Sequence, residues 1–179
     1  MNNVLIIVDM QNDFTSGVLG NKECEAAVQK VVDVINNNEY DEVYLTKDTH
    51  HENYLKTQEG KNLPIEHCIE GTNGWLVREE IIEAVTNNTA NLYCIRKSTF
   101  GSRHLAKKLR KKYKKDEKNT SITLVGVCTG ICVISNAMLI KTALPEAKIN
   151  VIEKACACVT PESHKTAIEA MKRCQINII

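Results

Sequence analysis

The chain has 179 residues, 43% hydrophobic and 25% charged, which suits one soluble domain with a two-sided core and is too short for two ordinary domains. Lysine and arginine number 23 against 22 aspartate and glutamate, so no global field argues for nucleic acid or an anionic membrane as a partner. No apolar run approaches bilayer length and residues 1–7 lack a charged leader, so the expectation is a cytoplasmic protein whose eight cysteines are reduced thiols.

In chain order, residues 4–8 form an apolar run ending at Asp9, the pattern of a strand covered on both faces. Ala26, Ala27, Val31, Val34 and Ile35 share roughly one face of a predicted helix over 23–36, which Asn36, Asn37 and Asn38 end. A strand near 42–46 follows, then a long polar segment over 49–73 and a helix over about 76–85. Polar connections of that length inside a compact domain are usually functional. Next come a strand near 91–95 and a basic helix over about 102–114, whose run 107–115 is broken by Leu109 and Tyr113, as an exposed helix face would be. A strand over about 121–126 leads into a helix over about 130–143, and a strand at 149–152 into a helix started by Thr160 and Pro161. A short strand at 176–179 closes the chain. Strands alternating with helices predict an α/β fold, a single doubly wound (Rossmann-like) domain over 1–179, with a mostly parallel sheet of about six strands and helices on both faces.

Ligands of such sheets bind outside the carboxyl ends of the strands. That rim collects Asp9 and Asp13 after the first strand, and Asp48, His50 and His51 after the second. Arg96 and Lys97 follow the third strand, and the turn from Gly126 to Cys132 follows the fourth. Cys132 falls where a turn enters a helix, so backbone N–H groups and the helix dipole favour a thiolate there and supply oxyanion donors. Lys97 would add positive charge, and Asp9 could carry protons to a leaving amine. Taken alone, Cys132 could equally be a buried structural thiol. Most of Cys24, Cys94, Cys156, Cys158 and Cys174 fall within apolar patterns, as small hydrophobes do. Cys128 and Cys132 lack the second pair that structural zinc would need. The second cluster is Asp48, His50, Glu59 and His67, a nitrogen and oxygen set suited to a first-row divalent ion.

Three segments carry a resemblance: Val8-Asp9-Met10-Gln11-Asn12-Asp13-Phe14, Lys97-Ser98-Thr99-Phe100-Gly101-Ser102 and Gly126-Val127-Cys128-Thr129-Gly130-Ile131-Cys132-Val133. Together, in order, they resemble the isochorismatase-like cysteine hydrolase superfamily, and within it the nicotinamidase/pyrazinamidase branch. The resemblance implies a catalytic triad of Asp9, Lys97 and Cys132. It also implies a cis peptide bond before Cys128 and an oxyanion hole from the backbone N–H groups of Cys128 and Cys132. Cys128 and Gly130 depart from the commoner Ala and Asp of this motif; Cys128 would act through its backbone. The resemblance further implies a divalent metal ion, zinc above manganese or iron, on Asp48, His50 and His67. Glu59 is taken as the remaining ligand, with His51 and Glu52 as competitors. Phe14 resembles the ring that packs on the substrate, whereas Trp75 could be pocket wall or core, and His104 and His164 read as surface residues. Pro64, Ile65 and Glu66 stand where several relatives have an aromatic, which weakens the case for nicotinamide in particular.

The implied reaction is hydrolysis of a small carboxamide, nicotinamide to nicotinate and ammonia, through a cysteine thioester. Another small amide, carbamoyl compound or ureide is the alternative substrate. A phospho-accepting signalling domain is a poorer fit, because it needs its lysine after the fifth strand and has no use for Cys132. Relatives are commonly oligomeric; the sequence leaves a homo-oligomer undecided.

Overall fold

The apolar run at the start of the chain becomes β1 (Asn2–Val8), in which Val4, Leu5, Ile6, Ile7 and Val8 are fully buried. Each such side chain contributes about 1.5–3 kcal/mol on leaving water, so this strand anchors the sheet. The structure, a computed structural model, describes residues 1–88 and 91–179. After the short α1 (Asn12–Thr15), helix α2 (Lys22–Asn36) starts on Asn21, whose side chain accepts the Cys24 N–H at 2.8 Å. Its buried face is Cys24, Ala27, Val28, Val31 and Ile35; Ala26, expected there, is exposed. The rotation follows from α2 packing on α4 (Glu79–Asn88) as well as on the sheet.

Strand β2 (Glu42–Asp48) is buried throughout and runs to Asp48, two residues beyond the expected end. The polar segment that follows is folded: a 3₁₀ turn (Tyr54–Lys56) leads to α3 (Gln58–Asn62), capped by Thr57 on the Gly60 N–H. Helix α4 begins three residues later than expected, because Asn12 N–H binds Leu76 O and Arg78 N–H binds Met10 O, holding that stretch in an extended connection. Strand β3 (Leu92–Lys97) extends to Lys97 itself. Helix α5 (Arg103–Tyr113), capped by Ser102, buries Leu105, Leu109 and Tyr113 and leaves most of its basic residues in solvent.

Strand β4 (Thr120–Val127) passes into a π turn (Thr129–Val133) and then α6 (Ile134–Ala143). Strand β5 (Lys148–Ala157) is longer than expected, and α7 (Pro161–Arg173) starts with Thr160 and Ser163 capping one another reciprocally. Strand β6 (Asn177–Ile178) ends the sheet, whose order is β3-β2-β1-β4-β5-β6 with every neighbouring pair parallel. One core cluster packs α5, α6 and α7 on one face of the sheet, and the other packs α2 and α4 on the opposite face. No helix among the described residues is long and apolar enough to cross a membrane.

The strand order departs in opposite directions from β1 and β4, which places a crevice at their carboxyl ends. Gly126 makes that crevice tight. Its φ is +115°, and a β-carbon there would stand 2.2 Å from Val8 O, so only glycine lets β4 close on β1 at the rim.

Candidate active site

Asp9 is the first residue past β1, fully buried, at φ +49°. Its N–H reaches Thr46 O at 3.3 Å and Thr46 Oγ1 at 3.2 Å, while Thr46 Oγ1 donates to Asp9 Oδ1 at 2.7 Å. Thr46 can do this because it is the β2 partner of Val8. Gln11, also buried, donates to Asp48 O at 2.9 Å and accepts the Asp48 N–H at 2.7 Å, tying the ends of β1 and β2 together.

Lys97 is the β3 partner of Asp48 and turns inward, 6% exposed. Its ammonium lies 2.7 Å from Asp9 Oδ2, 3.3 Å from Asp48 Oδ1 and 3.7 Å from Cys132 Sγ. One cation thus joins the expected triad to the second cluster, a link sequence reading missed. Burial alone would discharge Lys97, but the charges of Asp9 and Asp48 oppose it and its pKa is raised. Asp9 Oδ2 meets that cation without an aligned hydrogen bond, which leaves a buried acceptor able to take a proton. Burial raises Asp9 as well, against the opposing charge of Lys97.

The expectation of a resting thiolate at Cys132 is corrected. Burial, and then the charge of Asp9, hold the thiol pKa well above its usual value, with Lys97 as the opposing influence. The Cys132 thiol therefore rests protonated. Lys97→Met removes the cation 3.7 Å from Cys132 Sγ, which favours the thiolate, so alkylation of Cys132 by iodoacetamide should slow at neutral pH and recover at high pH. An unchanged pH profile would reduce the triad to a pair.

Cys132 sits within the π turn after β4, and the Val127–Cys128 peptide bond that precedes this turn is cis. Asn136, one turn further along, is buried, and donates to Cys132 O at 2.8 Å and Phe100 O at 3.3 Å. It also accepts the Ser102 N–H at 2.9 Å. This side chain fastens the turn carrying Cys132 to the loop after Lys97. Its spacing of four from Cys132 was the available signal.

Asp48, His50, Glu59 and His67 bring one donor atom each to within 4.8 Å of one another. His50 Nε2 is 3.1 Å from Asp48 Oδ2 and 3.7 Å from Glu59 Oε1; His67 Nε2 is 3.8 Å from each of those oxygens. His67 Nδ1 donates to Ile65 O at 2.8 Å, which leaves Nε2 bare toward the cluster, as a metal-binding histidine requires. Burial would raise the Asp48 pKa, but the hydrogen bond from His50 and the charge of Lys97 hold it below the usual range, keeping a carboxylate there. Two imidazoles and two carboxylates in this arrangement fit a zinc, manganese or iron(II) ion. The competitors lie elsewhere: His51 is paired with Glu70 at 3.6 Å with its side chain 66% exposed, and Glu52 is exposed.

The polar segment places these donors by folding back on itself. His50 N–H binds Cys68 O at 3.0 Å, Glu70 N–H binds His50 O at 2.9 Å, and Cys68 N–H binds Asp13 Oδ2 at 2.7 Å. Asp13 is therefore a structural acceptor rather than a rim acid. Tyr54, unremarked in the sequence, packs its ring 4.7 Å from His50 and 5.0 Å from His67.

A cavity of about 480 Å³ opens beside the cluster, lined by His50, Tyr54, Glu59, Thr99 and Phe100 among others. Phe14 does not line it; its ring stands 5.4 Å from that of His67. Phe100, 47% exposed, is the aromatic on the wall that sequence reading overlooked. Trp75 is neither core nor wall: it is half-buried, donates to Thr49 Oγ1 at 3.0 Å, and carries Lys47 over its ring. His104 is exposed as expected, but His164 is half-buried with Nδ1 2.8 Å from Thr129 Oγ1. Cys94, expected in an apolar pattern, is exposed.

The parallel sheet thus brings a buried thiol, lysine and aspartate together at its switch point. The isochorismatase domain model matches residues 3–179, and the chain belongs to that family. No curated protein matches it. Among solved structures, the nicotinamidase/pyrazinamidase PncA from Bacillus subtilis superposes with a TM-score of 0.82 at 22% identity, covering 99% of each chain. A pyrazinamidase of Pyrococcus horikoshii in complex with zinc gives 0.78 at 24% identity, covering 100% of this chain and 99% of the other. N-carbamoylsarcosine amidase from Thermoplasma acidophilum gives 0.73 at 21% identity, covering 99% and 95%. At such identities these likenesses establish the fold.

Proposed function

We propose that the chain is a cytoplasmic amidohydrolase that cleaves a small carboxamide, nicotinamide first among them, through a thioester on Cys132. The observation that carries this reading is the single buried array Cys132–Lys97–Asp9, joined through Lys97 to the four-donor cluster. In the proposed sequence Asp9 takes the Cys132 proton and the sulfur attacks the amide carbon. The oxyanion is held by the N–H groups of Cys128 and Cys132. Asp9 returns the proton to the leaving nitrogen, ammonia departs, and Asp9 then draws a proton from the water that opens the thioester. Lys97 stays protonated throughout and keeps Asp9 and the transient thiolate charged. Asp48, His50, Glu59 and His67 would hold a divalent ion, which when bound supplies a Lewis-acid anchor for a ring nitrogen.

The P. horikoshii relative, crystallised with zinc, supports the metal part of this reading, and the T. acidophilum relative supplies the second reading, a carbamoyl substrate. Ammonia release from nicotinamide, benzamide and N-carbamoylsarcosine separates them. Nicotinamide should give the highest kcat/KM, with benzamide at least about tenfold lower for want of the ring nitrogen. Preference for the carbamoyl compound would replace the pyridine reading by the second one.

A further inference from the structure

Away from the cavity, three cysteines meet where β4 and β5 end. The β4–β5 ladder sets Gly126 opposite Cys156 and Val127 opposite Ala157. Cys128 and Cys158 are the residues that follow the last of these pairs. Neighbouring strands lie about 4.7–4.9 Å apart, so strand ends in register bring α-carbons within the roughly 4.4–6.8 Å that a disulfide spans. The Cys128 thiol interacts with the thiols of Cys158 and of Cys24 on α2, and Cys24 Sγ lies 3.8 Å from Cys158 O. Cys158 is only 3% exposed, yet it helps line a cleft of about 390 Å³ shared with Lys22, Lys30 and His164. Gly130 lies beside that sulfur: a β-carbon there would stand in ordinary contact, 3.4 Å from Cys158 Sγ.

We propose that Cys128 and Cys158 are a peroxide-sensitive dithiol site that closes reversibly to a disulfide beside the turn carrying Cys132. The Cys158 sulfur attacks one peroxide oxygen, the O–O bond breaks, and hydroxide leaves behind a sulfenic acid. The Cys128 sulfur then displaces the sulfenic oxygen, forming the S–S bond. Two thiols are oxidised, one peroxide is reduced, and the two thiol protons complete two waters. The groups around Cys158 favour it as the first to react. Hydrogen bonds from Cys128, then Ser163 and the N–H groups of Gly130 and Val159, lower its pKa to about 5 against the effect of burial. Cys132, raised by burial, offers little thiolate to peroxide. Closure would fix residue 128, whose N–H is one proposed oxyanion donor, although the dithiol itself does not depend on the amide reading.

The test is peptide mapping of purified Cys132→Ala protein after brief treatment with hydrogen peroxide, since Cys132 otherwise shares a tryptic peptide with Cys128. The expected product is a peptide pair joined through Cys128 and Cys158, lighter by two hydrogens and released by dithiothreitol. It should be absent when Cys158→Ser is added and retained when Cys24→Ala is added, each variant checked for an unchanged thermal melt. Cys128 and Cys158 left free at a peroxide dose that oxidises exposed Cys94 would overturn the proposal. So would cross-linking of Cys128 to Cys24 in its place.

Discussion

Cys132→Ala is expected to lower kcat for amide hydrolysis by about 10³–10⁶-fold, the range seen when a covalent nucleophile is removed. The substitution deletes one sulfur from a site 5% exposed, so stability should change by only about 1 kcal/mol. The metal donors are untouched. Steady-state ammonia release, read beside a thermal melt and the metal content of both proteins, separates lost chemistry from lost structure. Activity comparable to wild type in a folded variant would remove Cys132 as the nucleophile.

The second large effect is expected at His50. Its Nε2 is the closest nitrogen to Asp48 Oδ2 in the donor cluster, at 3.1 Å, and the cluster's other imidazole, His67, is already one of the four donors. His50→Ala should weaken metal binding by more than the ~10–100-fold that loss of an outer hydrogen-bond partner costs. KM for a pyridine amide should rise, while Cys132 keeps its alkylation rate, because Lys97 rather than His50 stands 3.7 Å from the sulfur. Elemental analysis and the two kinetic readouts check this. Equal metal content in wild type and variant would place the ion elsewhere.

The fold was legible because its signals are local. The apolar run before Asp9, the cap at Thr160, and the alternation of strand and helix all survive into the structure. Boundaries moved where long-range contacts decide them, as at Leu76, which the α1 segment holds in a connection. The site residues were legible as a set along the strand ends, since parallel register puts those ends on one rim. What the sequence hid is what side chains do across strands. Thr46 and Gln11 looked like ordinary strand and turn residues, yet one buttresses Asp9 and the other joins it to Asp48. The charge state of Cys132 was also hidden: helix position argues for a thiolate, and only the depth of burial beside Asp9 reverses it. Glu59 was a choice among three acids and imidazoles in one polar segment, and the fold-back of residue 50 onto residues 68–70 is what sets it beside the two histidines.

The most direct measurement is ammonia release from nicotinamide by the purified protein, before and after a strong chelator and again after zinc, manganese or iron(II) is restored. The account predicts turnover with equimolar nicotinate and ammonia, a fall on chelation through a higher KM, and recovery with at least one of these ions. A folded, metal-loaded protein that releases no ammonia from nicotinamide would contradict it.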